Sequence, residues 1–251
     1  MKLLFFLLPA FLLTLFSCNQ VPTVNDAIDV NEQGIAYMNA GKYDSTLSTF
    51  LKAIQNNRLS KDTKGIIYRN IAITYAELTK TDSAVHYSTL AAKCYRKNSF
   101  NYLLNLADVD LLKGKTDMAL SRLLKAADLK PDEMSVNNSL GLIYMGEYDE
   151  AYTNLEKALI YNSRAFEADQ GRVIEEVLAR NYYRLDNFEK AQLHYTKLLK
   201  DYPDMPYYSL YMGMIKLKLK HPAEAEKLFE QVITMDSSYK ETIDIFKENN
   251  R

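Results

Sequence analysis

The chain has 251 residues, 47% of them hydrophobic and 25% charged, with 31 Lys and Arg against 32 Asp and Glu. That balance is globular and excludes long disorder, collagen and a many-span membrane protein, and a net charge of -1 offers nucleic acid no general attraction. Eight glycines and six prolines are too few for the turns of an all-β sandwich or barrel, and two cysteines cannot build a disulfide framework, so a mostly helical chain is expected.

The chain opens Met1-Lys2, and residues 3–16 form an apolar run broken only by Pro9 and Thr14. The run falls short of the ~20 residues of a membrane-spanning helix. A basic start, a short apolar core and a small residue before a cut site match a secretory signal over residues 1–17. Leu15-Phe16-Ser17-Cys18 resembles a bacterial lipobox, which implies cleavage before Cys18 and lipid attached to its thiol. A plain signal peptide and an uncleaved anchor are the alternatives. The resemblance implies a lipid-anchored protein of a bacterial envelope. Asn19 lacks the aspartate that some bacteria read as inner-membrane retention, which favours a periplasm-facing outer-membrane location. Residues 18–26 are expected to be a polar tether, of which residues 19–25 span roughly 25 Å at most when extended.

From residue 27 a repeat of about 34 residues organises the chain. Small residues recur at Gly34, Ala72, Ala107, Gly141, Ala179 and Gly213. Twelve residues beyond most of them stands an alanine (Ala84, Ala119, Ala191, Ala225), with Thr46 in the first copy and Ala151, only ten residues on, in the fourth. Seven further on come Ala53, Ala91, Ala126, Ala158, Leu198 and Val232. Three residues after the first mark lie Tyr37, Tyr75, Tyr144 and Tyr182, with Asp110 and Lys216 as departures.

This pattern resembles the tetratricopeptide repeat, a pair of antiparallel helices touching through small residues. The resemblance implies an all-α fold: a right-handed α-solenoid of about six helix hairpins over 27–239. The repeats would be 27–60, 65–98, 100–133, 134–165, 172–205 and 206–239, with a capping helix and tail at 240–251. Gly41 and Gly114 fit left-handed turns between paired helices. Asp44, Asp82, Asp117 and Asp149 fit the first turn of each second helix, complementing its dipole. Pro131 and Pro203 close repeats, and Pro222 opens a second helix. The fourth copy reads as two residues short before Ala151, with extra residues 166–171 after it, and either a break in the superhelix (a hinge or a change in curvature) or a tolerated loop insertion is expected there.

Motifs for chemistry are few. Gly114-Lys115-Thr116 lacks the glycine of a phosphate-cradling loop, since Val109 stands five residues before Gly114, and it reads as a repeat turn. His86, His194 and His221 fall in different repeats without metal-ligand spacing. No nucleophile elbow or dinucleotide fingerprint occurs, so no enzyme, cofactor or metal is expected. Nineteen tyrosines raise glycan handling as a lesser reading.

The family's groove positions on the first helix of each repeat hold Asn31, Arg69, Asn70, Asn101, Asn105, Asp108 and Asn138. Asn70 and Asn105 resemble the asparagine ladder that grips peptide backbones, since a carboxamide both donates and accepts. Ile35 and Ile73 occupy slots of the family's carboxylate clamp, which argues against that ligand. In the second half Glu176, Arg180, Tyr183, Arg184, Tyr207, Leu210, Tyr211 and Met214 would line the groove, Tyr and Arg being enriched at interface hot spots. The expected function is a membrane-anchored scaffold binding a protein or peptide partner in the envelope, with no nucleic acid. Self-association as a homodimer is the alternative.

Overall fold

The computed structural model describes residues 24–250. The signal segment 1–17 and the lipidation site Cys18 lie outside the described residues. Within them the chain is helical throughout, with thirteen α-helices, two 3-10 turns and no strand. The hairpins are α1 (Val24–Asn39) with α2 (Tyr43–Ile54), α3 (Lys61–Glu77) with α4 (Thr81–Lys93), and α5 (Phe100–Leu112) with α6 (Thr116–Leu129). They continue with α7 (Met134–Tyr144) and α8 (Leu155–Ala168), α9 (Arg172–Arg184) and α10 (Phe188–Asp201), then α11 (Pro206–Lys218) and α12 (Pro222–Met235). Helix α13 (Lys240–Glu248) follows the 3-10 turn Ser237–Tyr239. Helix α1 already begins at Val24, inside the stretch expected to be tether.

The chain divides between Leu59 and Ser60 into two compact units. The first contains the α1–α2 hairpin. In the second, each first helix packs on its own partner, and each partner packs on the first helix of the next hairpin. This is an α-solenoid.

The helices of each pair meet at the small residues. Gly34, Ala72, Ala107, Gly141, Ala179 and Gly213 are all buried. A Cβ on Gly213 would lie 2.7 Å from the Phe229 ring, one on Gly34 would run into the Phe50 ring, and one on Gly141 would overlap Asn162 Oδ1. The second helix thus fills the space that a larger side chain would need. Ala84, Ala119, Ala191 and Ala225 are equally buried on the opposite helix.

Every first helix ends the same way. A residue with positive φ follows it in all six hairpins: Gly41, Thr79, Gly114, Gly146, Asp186 and Lys220. In each the next amide reaches back five residues, as Lys42 N does to Tyr37 O (2.9 Å) and His221 N to Lys216 O (2.8 Å), closing a Schellman motif. A glycine announces the turn at Gly41, Gly114 and Gly146; at Thr79 the motif forces a β-branched side chain into a left-handed conformation.

The fourth hairpin departs from expectation. Helix α7 ends early, with its left-handed turn at Gly146 five residues after Gly141 instead of seven. Helix α8 then begins only at Leu155, so neither Asp149 nor Ala151 is in it. Ala151 belongs to a 3-10 turn, Glu150–Tyr152, which Asp149 caps by accepting from the Ala151 amide (3.0 Å). Ala158 and Ala165 occupy the helix–helix contact and are fully buried. The copy is therefore long by five residues, in its internal turn. Residues 166–171 are not an insertion: 166–168 complete α8, and 169–171 are a short link to α9.

The tyrosines three residues beyond the small mark stack on the second helix. Tyr75 lies 5.5 Å from Tyr87, Tyr144 5.7 Å from Tyr161 and Tyr182 5.6 Å from the His194 ring. Asp110 replaces stacking by charge, its carboxylate lying 2.5 Å from Arg122 Nε. Lys216 likewise pairs with Glu224 at 2.8 Å. At the far end Ile243 of α13 is fully buried with Phe229 and Val232, closing the last hairpin.

Replacing Gly141 by valine forces apart a contact that cannot relax without moving buried Asn162, so unfolding in denaturant is expected to show a loss of about 2 kcal/mol. Thr79→Gly removes the left-handed strain and is expected to add about 1 kcal/mol in the same measurement.

Candidate functional site

In the second unit, side chains on the first helices reach from one hairpin to the next between α3 and α5 and between α9 and α11. Arg69 on α3 pairs with Asp108 on α5, Nε to Oδ2 at 3.2 Å. Asn70 stands half-buried on α3 and Asn138 half-buried on α7, the latter with a buried carboxamide oxygen. Arg180 on α9 lies beside Tyr207 of α11 and Glu147. Burial works to lower the pKa of its guanidinium, but the Tyr207 hydroxyl and Glu147 outweigh it and raise the pKa. Tyr183 meets Tyr211 edge to face at 5.2 Å, and Tyr207 meets Tyr211 at 4.8 Å. Arg180, Tyr183, Tyr207 and Tyr211 are thus brought together, as are Arg69 and Asp108.

Other expected residues are placed differently. Asn105 is 1% exposed, donates to its own helix at Asn101 O (2.7 Å), and presents no carboxamide to a peptide. The ladder drawn from Asn70 and Asn105 is therefore not formed. Leu210 and Met214 are buried in the cluster with Phe229 and Ile243, facing the last hairpin and the cap. Asn31, half-buried on α1, belongs to the other unit.

Beneath the second half of the face lie buried phenols. Tyr195, fully buried on α10, stacks on Tyr211 at 5.1 Å. Tyr208 donates to Glu176 Oε2 (2.9 Å) and accepts from Arg172 Nη1 (3.3 Å). Burial first, then neighbouring hydroxyls and carboxylates, pushes Tyr183 and Tyr208 up to about 12 and raises Tyr195 and Tyr207 as well. Half-buried aromatic rings with their hydroxyls gathered together suit an amphipathic partner, apolar along the rings and polar at the hydroxyls.

Glu147 and Tyr148, in the long turn of the fourth hairpin, were missed in the sequence. Glu147 Oε1 lies 3.7 Å from Arg180 Nη2 and 3.6 Å from Arg184 Nη1. Arg184 also donates to Met145 O at the root of the turn. Tyr148 walls a cavity of about 230 Å³ with Arg69, Ile73, Glu77, Asp108 and Leu112. Burial, then Asp108 and Glu147, pushes its phenol up to about 12. Farther along, Tyr152 donates to Asp117 of α6. The available signal was the 17-residue interval from Gly141 to Ala158 where the other copies show twelve, concealed by Ala151 at a plausible distance.

Among the described residues no three His, Cys, Asp or Glu side chains converge to hold a metal ion, and no helix is long and apolar enough to cross a membrane.

Two-helix repeats joined by one recurring turn define an α-solenoid. Within it, residues 177–240 match the family model of the tetratricopeptide repeat. A 130-residue stretch is 28% identical to BBSome complex member BBS4 of Bos taurus, covering 51% of this chain and 24% of that protein. The APC/C hetero-tetramer Cut9–Hcn1 contains a similar fold: TM-score 0.67 and 16% identity, over 88% of this chain and 42% of the matched one. TTC0263, a thermophilic TPR protein of Thermus thermophilus, matches with TM-score 0.57 and 20% identity over 76% of this chain and 99% of its own. The chain thus spans about a quarter of the length of BBS4 and under half of the matched APC/C chain.

The raised phenols make stability depend on alkali. Tyr183 and Tyr208 are each protonated in the fold at a pH where they would ionise in the unfolded chain, so the stabilisation is complete below pH 10 and lost as pH rises through about 12. Ultraviolet absorbance of phenolate is expected to rise for these tyrosines together with the loss of helical circular dichroism, not before it.

Proposed function

We propose that the chain is a lipid-anchored scaffold of a bacterial envelope that grips a segment of a protein partner along the face formed by its first helices. The tetratricopeptide repeat fold suggests a protein-interaction scaffold. The observation that carries the reading is the aromatic and arginine group of Arg180, Tyr183, Tyr207 and Tyr211, half-buried on that face. Half-buried Tyr and Arg held rigid by one another lose little entropy when a partner covers them. The names of two similar proteins place them in multi-protein assemblies, which supports the same kind of role.

Anchoring rests on Met1-Lys2, the apolar run and Leu15-Phe16-Ser17-Cys18. One acyl chain holds a protein only marginally, whereas several hold it stably. A tethered scaffold raises the effective concentration of its partner at the membrane without further contacts. The outer membrane, facing the periplasm, is the proposed site. The reading requires no catalytic step.

Metabolic labelling with palmitate is expected to mark the wild-type chain and not Cys18→Ser, which moves to the soluble fraction; a Cys18→Ser chain that keeps label and membrane association overturns the anchor. Crosslinking in detergent-solubilised membranes is expected to capture a partner that an Asn70→Ala/Arg180→Ala/Tyr211→Ala variant loses. Equal capture by both overturns the use of this face.

A further inference from the structure

Residues 147–153, Glu-Tyr-Asp-Glu-Ala-Tyr-Thr, are seven residues between the left-handed turn at Gly146 and the α8 cap Asn154. In the other hairpins the cap of the second helix follows the left-handed residue directly, as Lys42 follows Gly41 and Lys115 follows Gly114. A surplus loop is free to extend into solvent, because lengthening a turn costs little entropy. This one does not. Its ends are pinned, by Arg184 on Met145 O and by Tyr152 on Asp117, and its first two side chains are laid on the face that the first helices form. Glu147 places its carboxylate between Arg180 and Arg184, and Tyr148 closes the cavity beside Arg69 and Asp108.

Neither contact is tight. The carboxylate stands 3.6 and 3.7 Å from the two guanidinium groups, beyond hydrogen-bond range, and its side chain remains 33% exposed. Tyr148 keeps 43% of its surface in solvent. Partly exposed ion pairs at such distances contribute little to stability, so the arginines retain most of their capacity for a carboxylate that can approach closer. Arg180 Nε, moreover, is buried without a hydrogen-bond partner.

We infer that Arg180, Arg184 and the cavity beside Arg69 form a docking site for a peptide carrying a carboxylate followed by an aromatic residue, and that Glu147-Tyr148 occupies this site from within the chain. The inference rests on the partner-binding reading above and names its chemistry: an acidic, aromatic segment of another protein. Charge decides the sign, since two guanidinium groups converge on one carboxylate. Shape decides the neighbour, since the cavity wall of Ile73, Leu111 and Leu112 is apolar while Arg69 and Asp108 supply polar partners for a phenol. A partner must displace the insert, so its affinity is reduced by the fraction of time the insert is seated.

The probe is a fluorescent synthetic peptide with the sequence of residues 146–152, measured by anisotropy against the full chain in detergent. A Glu147→Gln/Tyr148→Ser variant is expected to bind it at least ~10-fold more tightly than the wild type, and adding Arg180→Gln is expected to abolish that gain. Glu147→Gln alone, which preserves shape, is expected to tighten binding in the same direction by about 3-fold, and circular dichroism melting monitors the folding of each variant. No tightening in either insert variant, or equal binding of a scrambled peptide, overturns the inference. If tightening fails while the crosslinked partner is still lost in the Asn70/Arg180/Tyr211 variant, the insert is a brace and the partner-binding reading stands. If tightening occurs while that variant keeps its partner, the docking site stands and the partner-binding reading falls.

Discussion

In each hairpin one helix carries a residue small enough for the other to press against its backbone, and the remaining geometry follows from that contact. At Gly34 and Gly213 a phenylalanine ring fills the space, and at Gly141 a carboxamide does. The approach sets which residues of the second helix lie opposite the first, so Tyr75, Tyr144 and Tyr182 each find a ring waiting. Interiors are packed as densely as organic crystals, so a single added side chain at this point has nowhere to go. A stack of hairpins has little other long-range reinforcement, since each contacts only its neighbours.

The same contact explains how the fourth hairpin tolerates its irregularity. Gly141 still meets Asn162, and Tyr144 still stacks on Tyr161, although the connecting turn has grown. Packing holds the register of the two helices, and the surplus is expelled into the turn, where it costs least. Expelled there, it lies at the end of the first helix, next to the face that those helices present. An acidic aromatic segment has thereby come to rest among arginines.

The face itself is chemically divided. Around Arg69 and Asp108 it is polar and ion-paired; around Arg180, Tyr183, Tyr207 and Tyr211 it is aromatic, with the rings packed on one another and the Arg180 guanidinium beside the Tyr207 hydroxyl. The turn residues Glu147 and Tyr148 bridge the two parts. A partner engaging the whole surface would therefore meet charge at one end and rings at the other, with the insert between them.

The repeat, its helical nature and the capping helix were legible in the chain because side-chain size at a contact is a one-dimensional property: a glycine or alanine every 34 to 38 residues shows wherever it stands. The arginine and tyrosine group was also foreseeable, because family positions place those side chains on one helix face. The left-handed turns at Thr79, Asp186 and Lys220 left no mark, since the Schellman hydrogen bonds impose the conformation on whatever residue is there. Asn105, Leu210 and Met214 were misplaced for a different reason. A helix in a stack has neighbours on several sides, and its periodicity does not say which face turns inward to the next hairpin and which remains open. The path of residues 147–153 was decided by tertiary structure alone. A loop has no periodicity to read, and only the folded stack brings Arg180 and Arg184, from the following hairpin, to meet it.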